Sequence, residues 1–259
     1  MVTEERVGFG SGVGHRDERS RRRSRYARDM SAVPPASVVL FDLDGTLTDS
    51  APGIHAGFRH ALASVQAPEP TEEQLSLVVG PPLIDTLRGL GLDEDAAQRA
   101  LAAYFQRYDE RGWAENTAFE GVETVLTRLR DRGVRLGVAT SKSERFAVRI
   151  LDHFGLSGYF DFIGGASNDG TRRAKSDVIA HALTNLGIEP VEHADGGTGG
   201  VLMIGDRDHD VHGAARFGIP TVYVEWGYGI EGESADAAFT ASSMDELASV
   251  LEQNTVAAQ

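Results

Sequence analysis

Short apolar runs recur along the chain, and each leads into a polar residue. Residues 37–42 (SVVLFD) end at Asp42, 134–140 (VRLGVAT) run into Ser141, and 201–206 (VLMIGD) end at Asp206. A continuous run of this length, without alternation, predicts a strand buried on both faces. Residues 221–226 (TVYVEW) read as a further strand. Between the strands, helical segments are expected over 121–132, 143–153 and 176–186, followed by Gly133, Gly155 and Gly187. Glycine just past the last turn is a common helix stop. Strands alternating with helices in this way predict an α/β fold, an open, parallel, Rossmann-like sheet with helices on both faces.

Residues 52–116 break the alternation. Ile54, Phe58, Leu62 and Val65 recur at helical spacing, and Leu83, Leu87 and Leu90 line a second helical face. Thr71 followed by Gln74 has the form of a capping box, and Asp93 is placed to cap a helix through Leu101, Tyr104, Phe105 and Tyr108. This predicts an all-helical insertion over 52–116, a small cap, set into a core made of 37–51 and 117–259. Residues 1–36 are arginine-, serine- and glycine-rich without periodicity, and are expected to be a disordered tail. The GFGSGVG stretch at 8–14 has no strand before it, so it does not read as a dinucleotide loop.

Charge sharpens the picture. The formal net charge is −14, but the first 36 residues carry +3, leaving −17 for the rest. A body this acidic is a poor nucleic-acid binder, and a phosphate site within it requires a metal and a lysine. There is no cysteine, which removes thiolate chemistry and disulfides and suits a cytoplasmic protein. No apolar run is long enough to span a bilayer, so no membrane segment is expected.

The polar residues at the strand ends are the candidate chemistry. Asp42 with Asp44, Thr140 with Ser141, and Asp206 with Asp210 would converge where open α/β sheets bind ligands, outside the carboxyl ends of the strands. Taken alone, Asp44-Gly45-Thr46 also reads as a plain turn. A carboxylate can attack phosphorus once a cation offsets the repulsion between the two anions, and Mg²⁺ suits an all-oxygen site.

FDLDGTLTDS (41–50) resembles the DxDGT signature of the haloacid dehalogenase superfamily, and Thr140, Lys175 and GDRDHD (205–210) follow in the family's order. The resemblance covers roughly 37–250 and lies nearest the phosphoglycolate phosphatase-like members with a small helical cap. It implies a Mg²⁺-dependent phosphohydrolase acting on a small phosphorylated metabolite through an aspartyl-phosphate. By resemblance Asp42 is the nucleophile and Asp44 the general acid and base. The metal would be held by the Asp42 and Asp206 carboxylates and the Asp44 carbonyl, with Asp210 orienting metal-bound water or Lys175. Phosphate oxygens would be held by Thr140, Lys175 and the backbone around Leu43 and Ser141. Substrate choice would fall to the cap, at Gly80, Pro81, Pro82 and Arg88. Haloacid dehalogenase and phosphonatase activities are disfavoured, since those members lack the second aspartate supplied here by Asp44, whereas a phosphomutase also uses both.

His209 and His212 read as solvated helix-face residues, Asp49 and Ser50 as the start of the cap linker. Trp226-Gly227-Tyr228-Gly229 reads equally as turn chemistry or as part of the site. FDLDGTLTDS, VGPP, ATSK and WGYG together also resemble an actinobacterial branch of the same fold described as protein-tyrosine kinases acting with a low-molecular-weight tyrosine phosphatase. That resemblance implies an alternative activity and an alternative partner. A third alternative is a partner-binding protein that keeps weak phosphatase activity.

Overall fold

The computed structural model describes residues 35–80 and 83–258. The expected tail over 1–34, and Pro81 and Pro82, lie outside the described residues. Ala36, assigned from sequence to the tail, is buried, donates its N–H to the Asn254 carbonyl at 2.8 Å and bridges Thr255. The body therefore takes in at least one more residue than the sequence suggests.

The chain begins with β1 (Val38–Phe41) and β2 (Thr48–Asp49) and then enters four helices, α1 (Ala51–Ser64), α2 (Glu72–Ser76), α3 (Leu83–Gly89) and α4 (Glu94–Glu110). It returns through β3 (Thr117–Ala118), α5 (Val122–Asp131), β4 (Arg135–Ser143), α6 (Glu144–His153) and β5 (Phe162–Ala166). It ends with α7 (Lys175–Asn185), β6 (Val201–Gly205), α8 (Asp208–Ala215), β7 (Thr221–Val224), β8 (Phe239–Ala241) and α9 (Met244–Asn254).

Six strands form one parallel sheet in the order β5-β4-β1-β6-β7-β8. Every residue of β1 is buried because both faces are covered. Val39 and Phe41 pack with Leu126 and Leu129 of α5, Ile150 of α6 and Leu251 of α9. Val38 and Leu40 pack on the other side with Ile179 and Leu183 of α7 and Ala214 of α8. The chain leaves β1 toward β4 and β5, then crosses back to β6 on its other side, so the strand order reverses at β1. Crevices form at such a reversal.

Register aligns the polar ends. Phe41 lies opposite Val138 on one side and Ile204 on the other. One step further sets Asp42 level with Ala139 and Gly205, with Thr140 and Asp206 next along their strands. The Asp42 N–H donates to the Ile204 carbonyl at 2.9 Å. The β4–β5 register shifts between Thr140 and Ser143, and an irregularity of this kind re-aims the side chains at a strand end.

The helical insertion has a core of its own, built from Phe58, Leu62, Leu75, Leu87, Ala100 and Tyr104, and Phe146 of α6 reaches into it. The Thr71 hydroxyl accepts from the Gln74 N–H while the Gln74 side chain accepts from the Thr71 N–H, so the expected capping box forms. Asp93 caps α4 through the Ala96 N–H. Entry to and exit from the insertion run through the antiparallel pair β2–β3. Gly53 lies so close to Gly112 that an added Cβ would fall 2.1 Å from the Gly112 carbonyl oxygen.

Candidate active site

The loop after β1 is tied down by its own backbone. The Leu43 carbonyl accepts from the N–H groups of Thr46, Leu47 and Thr48, and Gly45 N–H donates to Thr48. Gly45 has φ +82°, and a Cβ there would stand 2.2 Å from Asp206 Oδ2. Only glycine combines that left-handed backbone with so close an approach. The loop thereby sets Asp42 deep and Asp44 half-buried at one mouth.

Behind Asp42 lies a buried charge cluster. The Lys175 ammonium, at the first turn of α7, is 2.9 Å from Asp42 Oδ1 and 2.6 Å from Asp210 Oδ1. Burial pulls the Asp42 carboxyl upward, but Lys175 and then His209 outweigh it and hold it below the usual carboxylate range. Burial likewise opposes the charge on Lys175, and Asp210 and Asp42 together keep its pKa raised. Asp210 is raised, mainly by burial. Burial, then Asp210 and Asp42, push the Asp206 carboxyl up to about 8, even though it accepts from the Tyr228 N–H at 2.8 Å and the Thr46 hydroxyl at 3.1 Å. One buried lysine thus serves two of three buried carboxylates.

In front of the cluster opens a crevice of about 300 Å³. Its sheet side is formed by Asp42, Asp44, Thr140, Ser141, Lys142 and His209. Its helical side is formed by Val78, Val79, Gly80, Leu83, Phe105 and Tyr108, among others. The structure thus brings together Asp42, Asp44, Thr140 and Ser141, with Lys175, Asp206 and Asp210 packed behind. The Leu43 side chain is fully buried beneath the loop. Gly80 lines the crevice as expected. Arg88 does not: three residues after Asp85 in α3, it pairs with Asp85 and with Glu94 on an exposed face, so the specificity role expected for it is withdrawn.

Three contributors, Lys142, His209 and Arg207, were not assigned to the site from sequence. Lys142, largely buried, donates to the Asp44 carboxylate and lies over the Tyr108 ring. Asp44 outweighs the effect of burial and raises its pKa. Lys142 follows Thr140 by two residues, so the strand-end pattern itself contained the signal. His209, expected on a solvated face, instead brings a ring nitrogen within 4.8 Å of carboxylate oxygens of Asp42 and Asp210, because the start of α8 turns it toward the mouth. His212 is exposed, as expected. Arg207 pairs with Glu233 and donates to the Val79 carbonyl at 2.8 Å, spanning from the residue after Asp206 to the helical insertion. Tyr228 donates its N–H to Asp206 and its hydroxyl to Asp49 at 2.7 Å. Trp226 donates its indole N–H to the Thr46 carbonyl at 3.3 Å. An added Cβ on Gly227 would lie 2.3 Å from Asp206. The WGYG segment is therefore a buttress for the loop and for Asp206, and Asp49 anchors the entry to α1.

The family described as "Haloacid dehalogenase-like hydrolase" matches residues 39–224, from the start of the sheet to the end of β7. The chain belongs to the haloacid dehalogenase-like hydrolases. Within this family it is 49% identical to "Tyrosine-protein kinase PtkA" of Mycobacterium tuberculosis, over 83% of this chain and 72% of that protein. It is 41% identical to a "5'-nucleotidase" of Pseudomonas aeruginosa, over 75% of this chain and 85% of that protein. Among solved structures, a predicted phosphatase from Clostridium acetobutylicum superposes with a TM-score of 0.74 at 38% identity, covering 85% of this chain and 99% of the other. Among the described residues, no helix is long and apolar enough to cross a membrane.

Proposed function

We propose that this hydrolase removes phosphate from small phosphomonoesters through an aspartyl-phosphate on Asp42. The observation that carries the reading is the division of labour between two neighbouring carboxylates. Asp42 is buried and kept ionised by Lys175, whereas Asp44 stands half-buried at the mouth and is gripped by Lys142. An ionised, oriented carboxylate is a nucleophile, and a second one beside it can move a proton.

In the first step an Asp42 oxygen bonds to phosphorus, the bond from phosphorus to the ester oxygen breaks, and Asp44 delivers a proton to the departing oxygen. In the second, water attacks the same phosphorus with Asp44 taking its proton, which frees phosphate and restores Asp42. Thr140, the backbone at Leu43 and Ser141, and Lys175 are the donors suited to the non-bridging oxygens. The surplus of buried carboxylates over cations, visible in the raised pKa of Asp206, fits a divalent cation. Mg²⁺ would be held by the Asp42 and Asp206 carboxylates and the Asp44 carbonyl, with Asp210 in support. When bound, it supplies positive charge that offsets repulsion between the carboxylates and the phosphate.

A second reading is favoured by one observation, the 49% identity to a mycobacterial protein named as a tyrosine kinase. The phosphoryl group would then pass to a protein tyrosine, with a low-molecular-weight tyrosine phosphatase as the partner to test. One preparation decides between the two. Phosphate release from a metabolite panel with Mg²⁺ supports the hydrolase. Incorporation of label from ATP into a tyrosine, with no phosphate release, would replace it by the kinase.

A further inference from the structure

We infer that the phosphomonoester this crevice accepts has an uncharged leaving group carrying a flat aromatic ring, and that carboxylated leaving groups such as glycolate are disfavoured; this rests on the phosphatase reading above. The helical side of the crevice supplies the reason. Its described lining residues, Ile54, Val78, Val79, Gly80, Leu83 and the α4 aromatics Tyr104, Phe105 and Tyr108, include no charged side chain. Lys142 and Arg207 at the rim are already engaged, Lys142 by Asp44 and Arg207 by Glu233 and the Val79 carbonyl. A carboxylate on the leaving group, set against this helical side, would meet no charged side chain among the described residues. A desolvated anion without a partner is strongly disfavoured.

Rings, by contrast, are already arranged to receive another. Tyr104 and Tyr108 stack at 5.6 Å between centroids and 14° between planes. Phe146 meets Tyr108 edge-on at 5.0 Å, and Phe105 meets Tyr104 edge-on at 5.5 Å. Phe105 lines the crevice and leaves 52% of its surface exposed. Offset and edge-on ring pairs contribute beyond their buried area. Tyr108 adds a polar feature, since its hydroxyl is buried without a hydrogen-bond partner. A buried hydroxyl of this kind is satisfied when a ligand polar atom reaches it.

The test compares three alkyl phosphates whose ester oxygens leave with similar ease: benzyl phosphate, uridine 5'-monophosphate and 2-phosphoglycolate. With Mg²⁺ present, phosphate release should give a kcat/KM at least about tenfold higher for one of the two ring-bearing esters than for phosphoglycolate. A preference for benzyl phosphate sets the ring next to the ester, and a preference for the nucleotide sets it beyond a sugar. Phe105→Ala, a change at a half-exposed site, should lower the preferred ester by about tenfold and phosphoglycolate by less than about twofold. Phosphoglycolate turned over as well as both others, or Phe105→Ala lowering all three alike, overturns the inference. Hydrolysis of none of the three counts against the phosphatase reading instead. Calorimetric affinities of the same three compounds for the Asp42→Asn chain then decide the inference: tighter binding of a ring-bearing ester upholds it, and equal or tighter binding of phosphoglycolate overturns it.

Discussion

Asp42 and Asp206 are one residue type at adjacent strand ends, and their surroundings drive them in opposite directions. Lys175 touches Asp42 but not Asp206, so the first is held low and the second is raised to about 8. Asp42→Asn keeps the shape of the side chain but removes the nucleophilic oxygen. Phosphate release should fall by at least about a thousandfold with an unchanged circular dichroism spectrum, and activity within about tenfold of the original would remove Asp42 from the nucleophile's role. Asp206 gives a pH signature. Unfolded, its carboxyl loses its proton near about 4; folded and metal-free, it keeps it to about 8. The folded state binds the extra proton in between, so this contribution to stability is complete below about 4 and is lost as pH rises through about 8. In EDTA, the melting temperature of the native chain should decline between pH 5 and 8 more steeply than that of Asp206→Asn. Added Mg²⁺ should recover the loss at pH 8. Parallel curves for the two chains would show that Asp206 is not buried against its neighbours' charge. At this scale the residues legible in the sequence were those confined to strand ends: Asp42, Asp44, Thr140 and Asp206. His209 and Arg207 escaped, since each acquires its importance from a contact with a distant segment that no local pattern encodes, whereas Lys142 lay within the strand-end pattern two residues after Thr140.

Elements with a strong local signal formed where expected. The runs at β1, β6 and β7 are continuous and bulky, and the caps at Thr71 and Asp93 have the residue types their geometry needs. β5 was not foreseen, because Phe162–Ala166 holds two glycines and reads as a linker. It becomes a strand by pairing with β4, and Gly165 is needed there because a Cβ would meet the Glu144 backbone at 2.6 Å. The short pair β2–β3 and the strand β8 were missed for a similar reason: two or three residues carry no period. The crossing of α1 past the insertion's exit is equally invisible in sequence. Gly53→Ala should force Gly112 away and destabilise the chain by about 1–3 kcal/mol, as overpacking generally does. A melting temperature unchanged by Gly53→Ala would show that the crossing yields without strain.

The body beyond the first 36 residues is acidic, with Lys175 and Lys142 placed at the site, and its helical insertion is pinned to the sheet unit from several sides. Arg149 of α6 bonds Asp109 of α4 and lies over the Trp113 ring, Tyr228 holds Asp49, and Arg207 reaches Val79. Movement of the insertion as a cap would therefore require a set of small ties to break together. Closure over a site excludes water from a reacting centre.

Of these ties, the one through Arg207 has a consequence for thermodynamic linkage. Arg207 is bonded in sequence to Asp206, a proposed metal ligand, and in space to the insertion that lines the other side of the crevice. A metal that fixes residue 206 would then bias where the insertion rests, and coupling of this kind is reciprocal: each ligand alters the other's affinity by the same factor. Mg²⁺ should tighten binding of a phosphate analogue such as vanadate, and vanadate should tighten Mg²⁺ equally, by about fivefold or more. In Arg207→Gln both ratios should fall by the same factor, leaving the direct attraction between cation and vanadate, while each ligand still binds by itself. If the ratios kept their original size, the cation and the insertion would be independent, and the guanidinium would serve only to hold Glu233.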